Sequence, residues 1–218
     1  MIAVIPAKST SSRVPDKNWR PFYQEKSLVD IKIDQLSEVM PKQNIYLSCE
    51  DISKKEIADQ HGINFLLRDP ELASDDTGWS DVVTGIVNQL PVDGEEEILW
   101  AEVTSPLFSD YGDFIETWNS KKTKYDSIAG VNELREYLMD KNGKPTNFEF
   151  GKGHRPSQEL EPLYTMDSFF IMEKKKILKL NYVIGNHPYL YIINTKSIEI
   201  DTMNEFNLAQ KLYEENCK

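Results

Sequence analysis

From residue 4 to residue 18 the chain reads Val4-Ile5-Pro6-Ala7-Lys8-Ser9-Thr10-Ser11-Ser12-Arg13-Val14-Pro15-Asp16-Lys17-Asn18. Three cations, Lys8, Arg13 and Lys17, share this stretch with four hydroxyl side chains, directly after an apolar run. A polyphosphate needs that mixture: cations offset its charge, while hydroxyls and the N–H groups of a curved loop donate hydrogen bonds to its oxygens. A solvated basic loop has the same composition, since charge runs are usually surface. Near the other end, Glu199 and Asp201 alternate with Ile198 and Ile200, so an extended segment points both carboxylates to one face. Two oxygen donors on one face suit Mg²⁺, which takes a few carboxylates together with phosphate oxygens and water. The polar side of an edge strand shows the same alternation.

Other chemistry has less support. GxxxxGK[ST] is absent, no glycine precedes Gly62, and neither GxGxxG nor G-x-S-x-G occurs. His61, His154 and His187 lack metal-ligand spacing and read as structural. The net charge of -11 argues against holding nucleic acid by neutralising many phosphates, although a few converging cations can still bind an anionic nucleotide. Cys49 and Cys217 show no CxxC spacing, so neither a disulfide framework nor a zinc site is expected and a reducing cytosol fits. No stretch approaches eighteen apolar residues, and Met1 to Ser9 lack the pattern of an export signal. The expectation is a soluble cytoplasmic protein with no membrane partner.

Stepping along the chain, short apolar runs alternate with amphipathic ones. Strands are expected at Ile2–Ile5, Asn44–Ser48, Ile63–Leu67, Glu97–Ala101 and Asp126–Val131. Helices are expected from Ser27 to about Val39, from Asp51 or Ser53 to about Gln60 with Gly62 as its stop, from Trp79 to Leu90 and from Tyr111 to Ser120. That rhythm signals a mostly parallel sheet covered by helices on both faces, a Rossmann-like α/β fold in one domain over 1–218. Residues 134–153 break it with turn signals at Asn142-Gly143 and Lys144-Pro145, which reads as a small protruding arm. Strands at Ser168–Met172 and Tyr189–Ile193 and a helix at Asn204–Asn216 complete the chain. In such sheets ligands bind beyond the carboxyl ends of the strands, where the cationic loop emerges.

The cationic loop resembles the IPAR-G-G/S-S-K/R-x-(I/L)-P-x-K-N signature of the acylneuraminate cytidylyltransferase family, the CMP-keto-sugar synthetases, through Ile5, Pro6, Ala7, Ser11, Arg13, Pro15, Lys17 and Asn18. Tyr46-Leu47-Ser48-Cys49-Glu50 is similar to the family's (V/I)-V-S-T-D strand end, and residues 67–75 to its R-P-x-E-L-A-x-D stretch. Trp100–Leu107 resembles L-L-Q-P-T-S-P-L, and residues 154–164 resemble R-x-Q-(D/E)-L-P-x-x-Y with Arg155 displaced by one position. Ser197–Thr202 is similar to (S/D)-I-D-I-D-T/N. This chain departs from the pattern at Lys8 for Arg, which loses a planar fork, and at Ser9, Thr10, Ser12, Glu102 for Gln, Met166-Asp167 for Asn-Gly, and Asn207 for Asp.

The resemblance implies a nucleotide-diphospho-sugar transferase type of fold and transfer of CMP from CTP to an acidic keto-sugar, with Mg²⁺ as cofactor. It implies nucleotide binding by Ala7, Lys8, Ser11, Arg13, Asn18 and Arg68, catalysis by Lys17 and Asp201, and metal binding by Asp201 and Glu199. Sugar contacts fall to Glu102, Thr104, Ser105, Arg155 and Gln158, with Arg155 and Gln158 facing the sugar's carboxylate and hydroxyls. From the residues alone, Arg68 equally pairs with Glu71 or Asp75, capping of the next element by Thr104 and Ser105 is weighed slightly above a sugar contact, and a loop cation is the lesser alternative for Arg155. Glu102 accepts hydrogen bonds and donates none, which suits an amino-bearing substrate or a metal contact. A homodimer is implied as well, with residues 134–170 reaching over the partner's cleft.

Overall fold

The β-branched run at the amino end forms β1 (Ile2–Pro6), whose first four residues are buried, as a strand covered on both faces requires. The computed structural model describes residues 1–194 and 197–217. The single domain expected over 1–218 includes 195, 196 and 218, which lie outside the described residues. β1 pairs in parallel with β2 (Ile45–Cys49) on one side and with β4 (Glu97–Ala101) on the other, and β2 pairs in parallel with β3 (Asn64–Leu67). Between these strands lie α1 (Leu28–Ser37), α2 (Lys55–His61) and α3 (Trp79–Gln89). Ser27 caps α1 in a capping box with Asp30, and Gly62 ends α2 in the left-handed conformation at φ 71°. A 3-10 turn at Ile52–Lys54, capped by Asp51, precedes α2 and shortens the expected helix.

The second half adds α4 (Tyr111–Lys121), β5 (Ser127–Leu134), β6 (Leu163–Glu173), α5 (Lys174–Leu180), β7 (Pro188–Ile192) and α6 (Met203–Asn216). The sheet order is β3-β2-β1-β4-β6-β5-β7, and β6 runs antiparallel between β4 and β5. Two findings differ from the sequence expectation. β6 begins at Leu163, so residues 163–170 belong to the main sheet and the excursion outside it spans 135–162. α5 was not expected, because Lys174–Leu180 carries three consecutive lysines before its apolar residues and is only two turns long.

Alternate residues of the central strands feed two cores. Ala3, Ile5, Leu99 and Ala101 pack toward α1, α4 and α6, while Ile2, Val4, Ile98 and Trp100 pack toward α3 and α5. Helices therefore cover both faces, and the loops at the carboxyl ends of β1, β2 and β4 open on one rim. Among the described residues, no helix is long and apolar enough to cross a membrane.

One buried cation clamps that rim from below. Lys32 on α1 is fully buried and donates to the Ser105 carbonyl at 3.1 Å and to the Tyr111 hydroxyl at 2.7 Å. Gln35, one turn on, donates to the Pro106 carbonyl at 2.8 Å. Burial pushes the Lys32 pKa down to about 7, against the pull of Asp167. Above that value the unfolded chain binds more protons than the folded one, up to the ordinary lysine pKa of 10.5, so this group makes stability rise with pH across that window. In Lys32→Met the gain in unfolding free energy between pH 7 and pH 9, measured in urea, is expected to shrink by about 2 kcal/mol relative to the unsubstituted chain. Equal gains in both proteins would discard a neutralised Lys32.

Candidate active site

The loop after β1 is held in a curve by its own residues. Ala7 is buried and its N–H donates to the Ser48 carbonyl at 2.9 Å. Val14 is fully buried, Ser11 Oγ accepts from the Val14 N–H at 3.4 Å, and Asp16 adopts φ 54°, which aspartate tolerates better than most residues. Asn18 Nδ2 and Trp19 Nε1 both donate to the Lys8 carbonyl, at 3.0 and 2.8 Å, closing the loop on itself. The curve encloses a hollow of about 190 Å³ lined by Lys8, Ser11, Arg13, Lys17, Asn18 and Thr104 among others.

The two ends of the chain meet at this hollow. Lys17 is buried, donates to the Ile200 carbonyl at 2.7 Å and stands 3.6 Å from Asp201, while Arg13 pairs with Asp201 at 2.7 Å. Burial lowers the Lys17 pKa, with Arg13 adding to the fall and Asp201 opposing it. The Ile200 N–H in turn donates to the Thr104 carbonyl at 2.9 Å, which ties the carboxyl-terminal segment to the loop after β4. Two buried atoms facing this junction have no partner among the described residues, Asn18 Oδ1 and Thr104 Oγ1. Buried polar atoms are rarely left so, because an unmade hydrogen bond costs about 1–3 kcal/mol. A bound molecule with hydroxyl or amide groups would satisfy them.

The other cations are also paired. Arg68 is buried and donates to Glu50 Oε2 at 3.0 Å, where the sequence suggested Glu71 or Asp75. The other oxygen of Glu50 accepts the Ser9 N–H at 2.7 Å, so Glu50 couples Arg68 to the cationic loop. Burial raises the Glu50 pKa, but these hydrogen bonds outweigh it and hold the carboxyl below its usual range. Sequence reasoning missed Glu50, and its place directly after β2, beyond a strand's carboxyl end, was the available signal. Lys8 pairs with Asp75 at 2.7 Å, and both lie on the wall of a neighbouring hollow of about 390 Å³ with Arg68, Trp79 and Trp100. Asp75 is largely exposed, so this ion pair is weak. Asp75→Asn frees Lys8, and isothermal titration with inorganic triphosphate is expected to show binding up to about fivefold tighter, the span of an exposed pair; weaker binding would mean that Asp75 itself helps to hold the anion.

Glu102 lies where these hollows join, with Oε1 accepting from the indoles of Trp79 at 3.3 Å and Trp100 at 3.2 Å. Burial raises its pKa and Asp167 adds to the rise, while the indole hydrogen bonds and Lys17 oppose it. Ser105 is buried and its hydroxyl bonds Ser168 at 3.3 Å. Neither Thr104 nor Ser105 caps α4; Asp110 does. Glu199 is exposed on the same side, its pKa raised by burial of its carboxyl and by Glu102, Asp201 and Asp167. Arg155 and Gln158 lie elsewhere in this single chain: Arg155 lines a hollow of the excursion with Phe148 and Glu161, and the Gln158 carbonyl accepts from Arg135.

No group of three His, Cys, Asp or Glu side chains among the described residues gathers closely enough to hold a metal unaided. Asp201 nevertheless stands beside the cationic loop, close enough for its charge to reach Glu199. The donor set therefore fits Mg²⁺ shared with a bound polyphosphate, not an all-protein cage.

This sheet order, with a phosphate-suited loop after β1 and acidic residues brought back beside it, defines a nucleotide-diphospho-sugar transferase type of fold. Solved structures with that fold include a CMP:2-keto-3-deoxy-manno-octonic acid synthetase complexed with CTP, at TM-score 0.68 and 9% identity over 99% of this chain and 98% of that one. A 4-diphosphocytidyl-2C-methyl-D-erythritol synthase from Anaerococcus prevotii aligns at TM-score 0.67 and 12% identity, over 98% and 96% of the two chains. The chain belongs to the cytidylyltransferase family, whose model matches residues 2–212. Similar curated proteins are the N-acylneuraminate cytidylyltransferases of Streptococcus agalactiae, 27% identical over 94% of this chain, and of Escherichia coli, 25% identical over 96%. The chain spans 51% of the length of each of these relatives.

Proposed function

We propose that the chain transfers CMP from CTP to the anomeric hydroxyl of an acidic 2-keto sugar. The sugar oxygen attacks the α-phosphorus in line, the bond from that phosphorus to the bridging oxygen breaks, and pyrophosphate leaves. The observation that carries this reading is the meeting of Lys17 with Ile200 and Asp201, beside the unpartnered Asn18 Oδ1 and Thr104 Oγ1. Lys8, Arg13 and Lys17 neutralise the triphosphate, exchanging their carboxylate partners for phosphate oxygens. Asn18 orients the nucleotide and Thr104 the sugar, and the partly exposed Asp201 carboxylate accepts the hydroxyl proton. Asp201 and Glu199 are the residues that would hold Mg²⁺, which when bound supplies positive charge at the phosphates. Catalysis is thus positioning and charge stabilisation.

A coupled pyrophosphate assay with CTP, UTP, GTP and ATP against a panel of keto-acid sugars tests this. Release with CTP and at least one sugar acid is expected. CTP binding without release from any acceptor would instead identify a nucleotide-binding relative, and preference for another nucleotide would overturn the CTP assignment.

The proposal includes a cytoplasmic homodimer. In its support, Leu163, Tyr164 and Met166 of β6 and Leu190 and Ile192 of β7 expose apolar side chains beside the excursion, which suits an interface. Light scattering is expected to return twice the 25.2 kDa of the chain, and a monomer mass at micromolar concentration would remove this part.

A further inference from the structure

Next to the phosphate hollow, and joined to it at Glu102, lies a second one of about 310 Å³. Its walls are aromatic: Trp79 meets Tyr182 edge to face at 5.2 Å between ring centroids and Phe170 at 6.1 Å. Glu102, Asp167 and Glu199 also line it, and among the described residues none of its lining side chains is Lys, Arg or His. Two indole N–H groups fix Oε1 of Glu102, and Oε2 accepts from no described residue. Asp167 is buried, held by Asn132 at 3.1 Å and by the Ser197 hydroxyl. The cations whose charge reaches these carboxylates are Lys17 for Glu102 and Lys32 for Asp167, and both are tied to carbonyls elsewhere.

Carboxylates set among aromatic rings make a surface for a cation with N–H donors. The rings attract positive charge through their faces, and the free carboxylate oxygen takes a hydrogen bond. Magnesium is less well served there, because Glu102 Oε1 and Asp167 already accept from the two indoles, Asn132 and Ser197, and the aromatic walls give no partners to its bound waters. An acidic group is repelled by the same carboxylates. We propose that this hollow seats a primary ammonium group of the acceptor, so that the acceptor is a sugar acid carrying a free amine. The acid group then lies on the side of Lys17 and Arg13. This inference rests on the cytidylyltransferase reading only in calling the ligand an acceptor.

D-glucosamine and D-glucose serve as probes that differ in one ammonium, titrated at pH 6.5 while tryptophan fluorescence is followed, since Trp79 and Trp100 both touch Glu102. Glucosamine is expected to bind at least tenfold tighter than glucose. Glu102→Gln keeps an oxygen for the indoles and is expected to cut that preference below threefold, and Trp79→Leu to weaken glucosamine binding at least fivefold, with unfolding midpoints confirming that both variants fold. Equal binding of the two sugars, a preference untouched by Glu102→Gln, or displacement of glucosamine by millimolar Mg²⁺ alone would overturn the ammonium seat. Pyrophosphate release with N-acetylneuraminate and with its 9-amino-9-deoxy derivative separates the two levels. Glucosamine preference without release from these two or any other acid of the panel sinks the transferase reading and keeps the seat; release without any ammonium preference does the reverse.

Discussion

In Asp201→Asn, CTP-dependent pyrophosphate release is expected to fall by about 10²–10³, the loss seen when one group that stabilises transition-state charge is removed. The reason is geometric. Asp201 faces Arg13 at 2.7 Å and Lys17 at 3.6 Å, so it sits where phosphate charge and metal charge must balance. Asparagine has similar shape but cannot offset two cations or hold a divalent ion well. Metal-free CTP binding is expected to survive or tighten, because the freed Arg13 and Lys17 face the phosphates unopposed. Turnover and nucleotide binding therefore move in opposite directions, which a general loss of folding cannot produce. Full turnover in this variant would discard the proposed metal and proton roles of Asp201.

Lys17→Met carries the second large effect. Lys17 is buried, and its ammonium bridges the amino-terminal loop to the Ile200 carbonyl at 2.7 Å. Methionine fills similar volume but leaves that carbonyl without its donor, at a cost of about 1–3 kcal/mol. It also removes the proposed charge-assisted contact to the triphosphate, so kcat/KM for CTP is expected to drop by about 10²-fold, or about 2.7 kcal/mol. Burial lowers the Lys17 pKa, so the positive charge disappears as pH rises through a value below the ordinary lysine range. The alkaline limb of kcat/KM in the unsubstituted chain should reflect this loss and vanish in Lys17→Met. An unchanged alkaline limb would assign it to another group.

Much of the architecture was legible because burial on a sheet or helix leaves a period in the sequence. The strand from Ile2, Glu97–Ala101 and the helix capped by Ser27 follow from short apolar runs and from a serine placed just before an amphipathic stretch. The expected strand at Ser168–Met172 covered only the buried part of β6, since Leu163–Met166 is exposed and shows no apolar alternation. Within the site, residue types in the amino-terminal loop raised the expectation of phosphate binding, and the structure sets Lys8, Arg13 and Lys17 around one hollow. The neighbours did not. Arg68 was expected beside acids in its own segment and instead meets Glu50, because parallel pairing of β2 and β3 sets their carboxyl ends side by side.

The amino-acid sequence by itself determined a helix-covered, mostly parallel sheet and a cationic hydroxyl-rich loop at the mouth of its first strand. Those features are local, and local spacing expresses them. Only the tertiary structure decided that β6 enters antiparallel between β4 and β5, that Asp201 closes on Arg13 and Lys17, that Lys32 clamps the rim from below, and that two indoles converge on Glu102. Such contacts join residues far apart in the chain, and which partners meet depends on strand order and crossover, which hydrophobic period does not encode.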